Sequence, residues 1–85
     1  MAYKVIFKPS ADKALQKLPA EVQRRIVATV DALAVEPRPH GVVKMAGDDN
    51  LWRGRVGEYR IVYEIHDGQL IVLVLRVVHR RDVYR

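Results

Sequence analysis

The chain has 85 residues, 49% of them hydrophobic, and 15 Lys and Arg against 10 Asp and Glu give a formal charge of +5. That hydrophobic share excludes a disordered chain, and the length excludes two independent cores, leaving one domain over residues 1–85. With no cysteine, disulfide staples and Cys-based zinc sites are excluded, the scattered His40, His66 and His79 suggest no metal cage, and no cofactor is expected.

Met1 is followed by Ala2-Tyr3-Lys4 rather than a long apolar run, so neither secretion nor membrane insertion is expected and the cytoplasm is the default location. Tyr3 to Lys8 then alternates in polarity and predicts a short strand, which Pro9 stops. Ser10 reads as the N-cap of a helix whose apolar positions Ala11, Ala14, Leu15 and Leu18 fall at i, i+3, i+4 and i+7. Pro19 ends it and suits the first turn of a second helix, where Val22, Ile26, Val30 and Leu33 form an apolar stripe. Pro37 and Pro39 close this hairpin of helices. Val42 to Met45 reads as a weak strand, and Gly47-Asp48-Asp49-Asn50 as a turn.

From Leu51 onward the pattern is a three-stranded meander: Trp52 to Val56, Tyr59 to Ile65 and Leu70 to Val78. Gly57-Glu58 makes the first turn, and Asp67-Gly68 reads as a two-residue type I′ hairpin. The near-continuous apolar run of the last strand predicts a central position, covered on both faces. Val78 to Arg85 reads as a helical turn.

Cations are distributed unevenly. Before residue 51 there are eight against six acids, five of the eight being lysine; beyond it there are seven against four acids, and all seven are arginine. Guanidinium grips phosphate in a bidentate fork, so polyanions are the first partner class to consider. A two-residue turn at Gly57-Glu58 pairs Val56 with Tyr59, Arg55 with Arg60 and Arg53 with Val62. Alternation then puts Trp52, Val56, Tyr59, Ile61, Tyr63 and Ile65 toward the helices, and Arg53, Arg55, Arg60, Val62 and Glu64 on the other face. Like charges directly across a strand pair repel, so Arg55 opposite Arg60 points to a bound anion. The alternative is a solvated face neutralised by Glu58 and Glu64. Leu73, Leu75 and Val77 are expected beside the arginines as an apolar strip, a match for an acidic, partly helical partner segment.

Trp52-Arg53-Gly54-Arg55-Val56-Gly57-Glu58-Tyr59-Arg60-Ile61-Val62-Tyr63-Glu64-Ile65, followed by Val77-Val78-His79-Arg80-Arg81-Asp82-Val83-Tyr84, resembles the C-terminal half of the RelE toxins. The opening strand and the Leu15-Gln16-Lys17-Leu18-Pro19 spacing in the helical hairpin extend the likeness along the chain. The resemblance implies an α+β, RelE-like fold, with an N-terminal strand and a helical hairpin packed on one face of a mainly antiparallel twisted sheet of about four strands. It also implies a type II toxin that cuts messenger RNA in the ribosomal A site. A RelB-like antitoxin would wrap and neutralise it, and would contact operator DNA on its behalf.

Carried over by position, the resemblance implies roles for Arg53 and Arg55, for Arg60, and for Arg80 with Tyr84. Metal-independent RNA cleavage uses the ribose 2′-hydroxyl as nucleophile and needs a base, cations for the phosphorane charge and a donor for the leaving 5′ oxygen. Tyr84 is the expected base, Arg60 and Arg55 the charge stabilisers and Arg80 the leaving-group donor. His79 competes as base because imidazole titrates nearer neutrality than phenol. Arg53, Arg81, His79 and Lys44 are expected to touch RNA or ribosome. Two other readings remain: a ParE-type toxin that blocks DNA gyrase, and a non-catalytic basic module that binds nucleic acid or an acidic protein.

Overall fold

Proline stands at the start of both helices: Pro9 in the first turn of one, where no N–H bond is lost and its fixed φ is already helical, and Pro19 not in the first turn of the other but one residue ahead of it, as its N-cap. In the computed structural model, which describes residues 2–47 and 50–82, β1 (Lys4–Phe7) leads into α1 (Pro9–Gln16) and α2 (Ala20–Leu33). Pro9 lies in the first turn and Lys8 is the N-cap, so Ser10 sits inside the helix rather than capping it. The Lys8 carbonyl accepts the Asp12 N–H at 3.0 Å, and the carbonyl of Pro19, the N-cap of α2, accepts that of Gln23 at 3.0 Å.

Four more strands follow: β2 (Val43–Lys44), β3 (Leu51–Val56), β4 (Tyr59–His66) and β5 (Ile71–His79). They form one five-stranded sheet in the order β1-β5-β4-β3-β2, parallel between β1 and β5 and antiparallel elsewhere. The fifth strand, beyond the expected four or so, is the weak Val42–Met45 segment, which supplies a two-residue edge. Both helices cover one face. There Ala11 and Leu15 of α1 and Ile26, Val30 and Leu33 of α2 meet Val56, Ile61, Tyr63, Ile65, Val72, Val74 and Val77 of the sheet. Ile26 is wholly buried, and truncating it to Ala would cost about 2–5 kcal/mol, a large share of the stability of a protein this small. No helix among the described residues is long and apolar enough to cross a membrane.

The β3–β4 hairpin has the expected register, with Val56 opposite Tyr59, Arg55 opposite Arg60 and Arg53 opposite Val62. Three features of β5 differ from expectation. The turn before it has four residues, a 3-10 turn over Asp67–Gln69 and then Leu70 in the left-handed region (φ 54, ψ 49). A loop of that length builds on a type I-like turn and leaves positive φ to its last residue rather than to Gly68. Next, β5 is an interior strand as expected, between β1 and β4, but only one of its faces is buried, and β4 takes the middle of the sheet. It is also the strand buried on both sides: Val62, on the helix-free face, is 8% exposed, flanked across the strands by Arg53 and Arg76, whose aliphatic stems shield such a position.

Finally, β5 carries a bulge. Val74 faces Tyr63 but Arg76 faces Val62, so Leu75 is an extra residue without a partner on β4. One inserted residue reverses the alternation beyond it. Val77 and His79 therefore pair with Ile61 and Tyr59 on the helix side, and Val77 is buried in the core. The expected strip of Leu73, Leu75 and Val77 is corrected accordingly: Leu73, opposite Glu64, stays on the arginine face, whereas Val77 does not.

Candidate functional site

The hairpin places three arginines on one surface. Arg53, Arg55 and Arg60, with Gly54, line a cleft of about 230 Å³ whose remaining wall is Gly41 and Val43. That is small beside the roughly 300–1,000 Å³ of pockets for drug-sized ligands, and it suits a compact anionic group. The chain brings the residues together in two ways. Two-residue periodicity sets Arg53 and Arg55 on the same side of β3, and the tight turn, with Gly57 at φ +58, returns Arg60 opposite Arg55.

The other wall arrives from the segment after α2, which is tied down along its length. The Tyr3 N–H donates to the Ala34 carbonyl at 2.7 Å, and the Tyr63 hydroxyl donates to the Pro37 carbonyl at 2.8 Å. Arg38 meets both Asp67 oxygens, at 3.2 and 2.8 Å, and lies 5.5 Å from the centre of the Trp52 ring. The Tyr3 hydroxyl adds a 2.6 Å bond to Asp67. These donors hold the Asp67 carboxyl down at about 2, the Arg38 fork contributing most. The acceptor in turn raises the Tyr3 phenol and the Arg38 guanidinium.

Glu58 and Glu64, the acids of the neutralised-face alternative, have other partners. Glu64 meets His66 at 3.0 Å. Glu58 lies 3.4 Å from His79 and 3.9 Å from Arg80. Among the described residues neither Arg53 nor Arg55 has an ion-pair partner. Arg53 and Arg55 therefore bring to the cleft positive charge that no described acid pairs with, next to an apolar sheet surface, a combination that attracts phosphate.

The remaining expected site residues are spread out. Arg80 and Arg81 form a 3-10 turn with Asp82 and are exposed; the Arg80 N–H donates to the Glu58 carbonyl at 2.7 Å, which fixes this turn against the β3–β4 turn. Arg80 does not line the cleft. His79 faces the helices, edge-on to Tyr59 at 5.1 Å between ring centres. Lys44 pairs with Trp52, while Val43 pairs with Arg53, so the lysine lies on the face opposite the arginines and valine takes the wall position. Tyr84 lies outside the described residues. Gly41, Val43, Arg38 and Asp67 were not found from the sequence: Gly41, Arg38 and Asp67 sit in turns and loops, and Val43 in a two-residue strand too short for alternation to mark a facing.

The family described as ParE toxin of type II toxin-antitoxin system, parDE, matches residues 5–84. Toxin RelG of Mycobacterium tuberculosis is 35% identical, covering 100% of this chain and 99% of that protein. In structure, the chain is similar to the archaeal RelE–RelB complex from Pyrococcus horikoshii, with a TM-score of 0.84, 33% identity and coverage of 94% and 97%. It is also similar to the intact E. coli RelBE toxin–antitoxin complex, with a TM-score of 0.81, 25% identity and coverage of 92% and 96%.

Proposed function

Because the chain belongs to the RelE/ParE superfamily of toxins from type II toxin–antitoxin systems, we propose that it is a cytoplasmic, ribosome-dependent messenger endoribonuclease. The observation that carries this reading is the cleft in which Arg53, Arg55 and Arg60 converge. A scissile phosphodiester seated there has its non-bridging oxygens against guanidinium donors. Charge accumulating on those oxygens as the 2′ oxygen attacks phosphorus is stabilised where it develops. Arg55 and Arg60 supply that stabilisation, and Arg53 orients the phosphate. Tyr84, as phenolate, takes the 2′ proton; Arg80, reaching in from the turn beside the hairpin, donates a hydrogen bond to the 5′ oxygen as its bond to phosphorus breaks, and that oxygen takes its proton from water. The products are a 2′,3′-cyclic phosphate and a 5′-hydroxyl end.

Ribosome dependence follows from size. So small a cleft contacts little beyond the reacting phosphate, so the codon must be held by something else, and the A site supplies that orientation. Arg81 and the basic outer surface would meet ribosomal RNA through phosphates. A RelB-like antitoxin is the expected inhibitor, in keeping with the RelE–RelB assemblies of the structural relatives. The sheet face bearing Leu73 beside the arginines fits an acidic amphipathic segment. Contact with operator DNA would run through that antitoxin.

The test adds purified protein to a translating extract and maps messenger ends, with Arg60→Ala and Tyr84→Phe alongside. Codon-phased cuts that either substitution reduces at least tenfold are expected; unchanged cutting by both variants overturns the assignment. The family match, whose description names ParE, favours gyrase inhibition as the second reading. Loss of gyrase supercoiling with messenger left intact would establish it instead.

A further inference from the structure

Glu58 sits at the tip of the β3–β4 hairpin, with nitrogen-bearing side chains around it from three elements. From β5 and the turn after it come His79 Nε2, 3.4 Å from Oε2, and Arg80 Nη2, 3.9 Å from Oε1. From α2, Arg25 lies over the same turn: its Nη2 is 3.2 Å from where a Cβ on Gly57 would stand, and Arg25, Val22, Val56 and Tyr59 line a 140 Å³ cavity with Glu58. The main chain is fixed as well, by the Arg80 N–H on the Glu58 carbonyl at 2.7 Å.

His79 links these contacts. The Arg81 N–H donates to Nδ1 at 3.3 Å, so Nδ1 is the acceptor and the proton of a neutral ring sits on Nε2, facing the carboxylate. Tyr59 holds the ring edge-on at 5.1 Å. With Nδ1 hydrogen-bonded, Nε2 3.4 Å from the Glu58 carboxylate, and the ring on the helix side of the sheet, His79 is poorly placed to take a proton in the arginine cleft. It is well placed to act as a peg: Glu58 orients the ring, and the ring orients the backbone that carries Arg80 and Arg81.

Stability does not explain this arrangement. The Glu58 side chain is 66% exposed, and exposed ion pairs contribute about 0–1 kcal/mol. We propose that Glu58 is a positioning residue that acts through His79 to set the direction in which Arg80 leaves β5. The inference rests on the ribonuclease reading in one respect, that Arg80 supports the leaving group.

Two measurements test it. Long-range ¹H–¹⁵N NMR of the His79 ring reads its tautomer without any need for activity: the Nε2–H form is expected in the wild type and in Glu58→Gln, whose amide oxygen still accepts, and a mixture of forms in Glu58→Ala. Cleavage on programmed ribosomes then separates the rate at saturation from the half-saturating concentration. Glu58→Ala is expected to lower the saturated rate at least fivefold with unchanged half-saturation and melting temperature. Glu58→Gln should restore most of it, and Glu58→Ala/His79→Gln should be no slower than His79→Gln. A wild-type ring without a dominant Nε2–H form, or an active wild type matched in rate by Glu58→Ala, overturns the inference. A wild type that leaves messenger intact overturns the ribonuclease reading and the catalytic half of this one, while the tautomer still decides whether Glu58 and His79 are coupled.

Discussion

Arg55 of β3 and Arg60 of β4 are Cα partners across the hairpin, and both line the same cleft. Opposed like charges on a sheet surface are destabilising by roughly 0.2–1 kcal/mol. A pair kept for phosphate binding should therefore show opposite effects on stability and activity. Arg55→Gln is expected to melt no lower than the wild type while cutting messenger at least tenfold more slowly, as read by thermal unfolding and mapped messenger ends. A variant that loses stability and keeps its activity would make Arg55 a structural residue instead.

The Arg38–Asp67–Tyr3 cluster predicts a specific acid sensitivity. Asp67 is held at about 2 when folded, below the value of about 3.9 for an unfolded chain. The carboxylate form is the one the fold favours, so its contribution is complete above about pH 4 and is lost as the pH falls through about 2. Melting temperatures of wild type and Asp67→Asn should thus differ most near neutrality and converge toward about pH 2. A gap that stays constant across that range would detach Asp67 from acid unfolding. Because the same side chain anchors the segment that leads to Gly41 and Val43, Asp67→Asn should also weaken substrate binding more than it slows the cut.

Much of the hairpin and little of its surroundings could be read from the sequence. The alternation of Arg53, Arg55 and Val62 across Gly57-Glu58 has period two, and a two-residue turn leaves a single register, so the arginine convergence followed from spacing alone. The bulge left no such trace. Leu73, Val74 and Leu75 are apolar in succession, and an extra residue inside an apolar run changes no polarity, so the reversal that buries Val77 was invisible. Asp67 was misread for another reason: its side chain bonds Arg38 and Tyr3, far away in sequence, instead of serving a local type I′ turn. The cleft wall at Gly41 and Val43 depends on these long-range ties.

Gly57 tests the hairpin itself. Its φ of +58 is unfavourable for a residue with a Cβ, by about 1–2 kcal/mol. The Cβ of an alanine would also come within 3.2 Å of Arg25 Nη2, a flexible end that can move aside. Gly57→Ala should lower the melting temperature by roughly 4–8 °C per kcal/mol lost. Gly57→Asn, which tolerates the left-handed region better, should lose less. Equal melting of both variants and wild type would mean that the turn has another conformation in solution.

Tyr63 makes the last prediction, on the alkaline side. The residue is fully buried, its hydroxyl donates to the Pro37 carbonyl at 2.8 Å, and burial pushes the phenol up to about 12. In an unfolded chain it ionises near pH 10, so folding favours the protonated form; that contribution is whole below about pH 10 and is lost as the pH rises toward about 12. Tyr63→Phe has no such group to ionise, but it leaves the Pro37 carbonyl without its donor, at a cost of about 1 kcal/mol near neutrality. The other tyrosines are common to both proteins and cancel in the comparison. Urea unfolding at about pH 8 should show the wild type as the more stable, and at about pH 11 the difference should narrow or reverse. A difference that grows with pH would mean that the folded protein accommodates the phenolate, and Tyr63 would then have to be in contact with water or a cation.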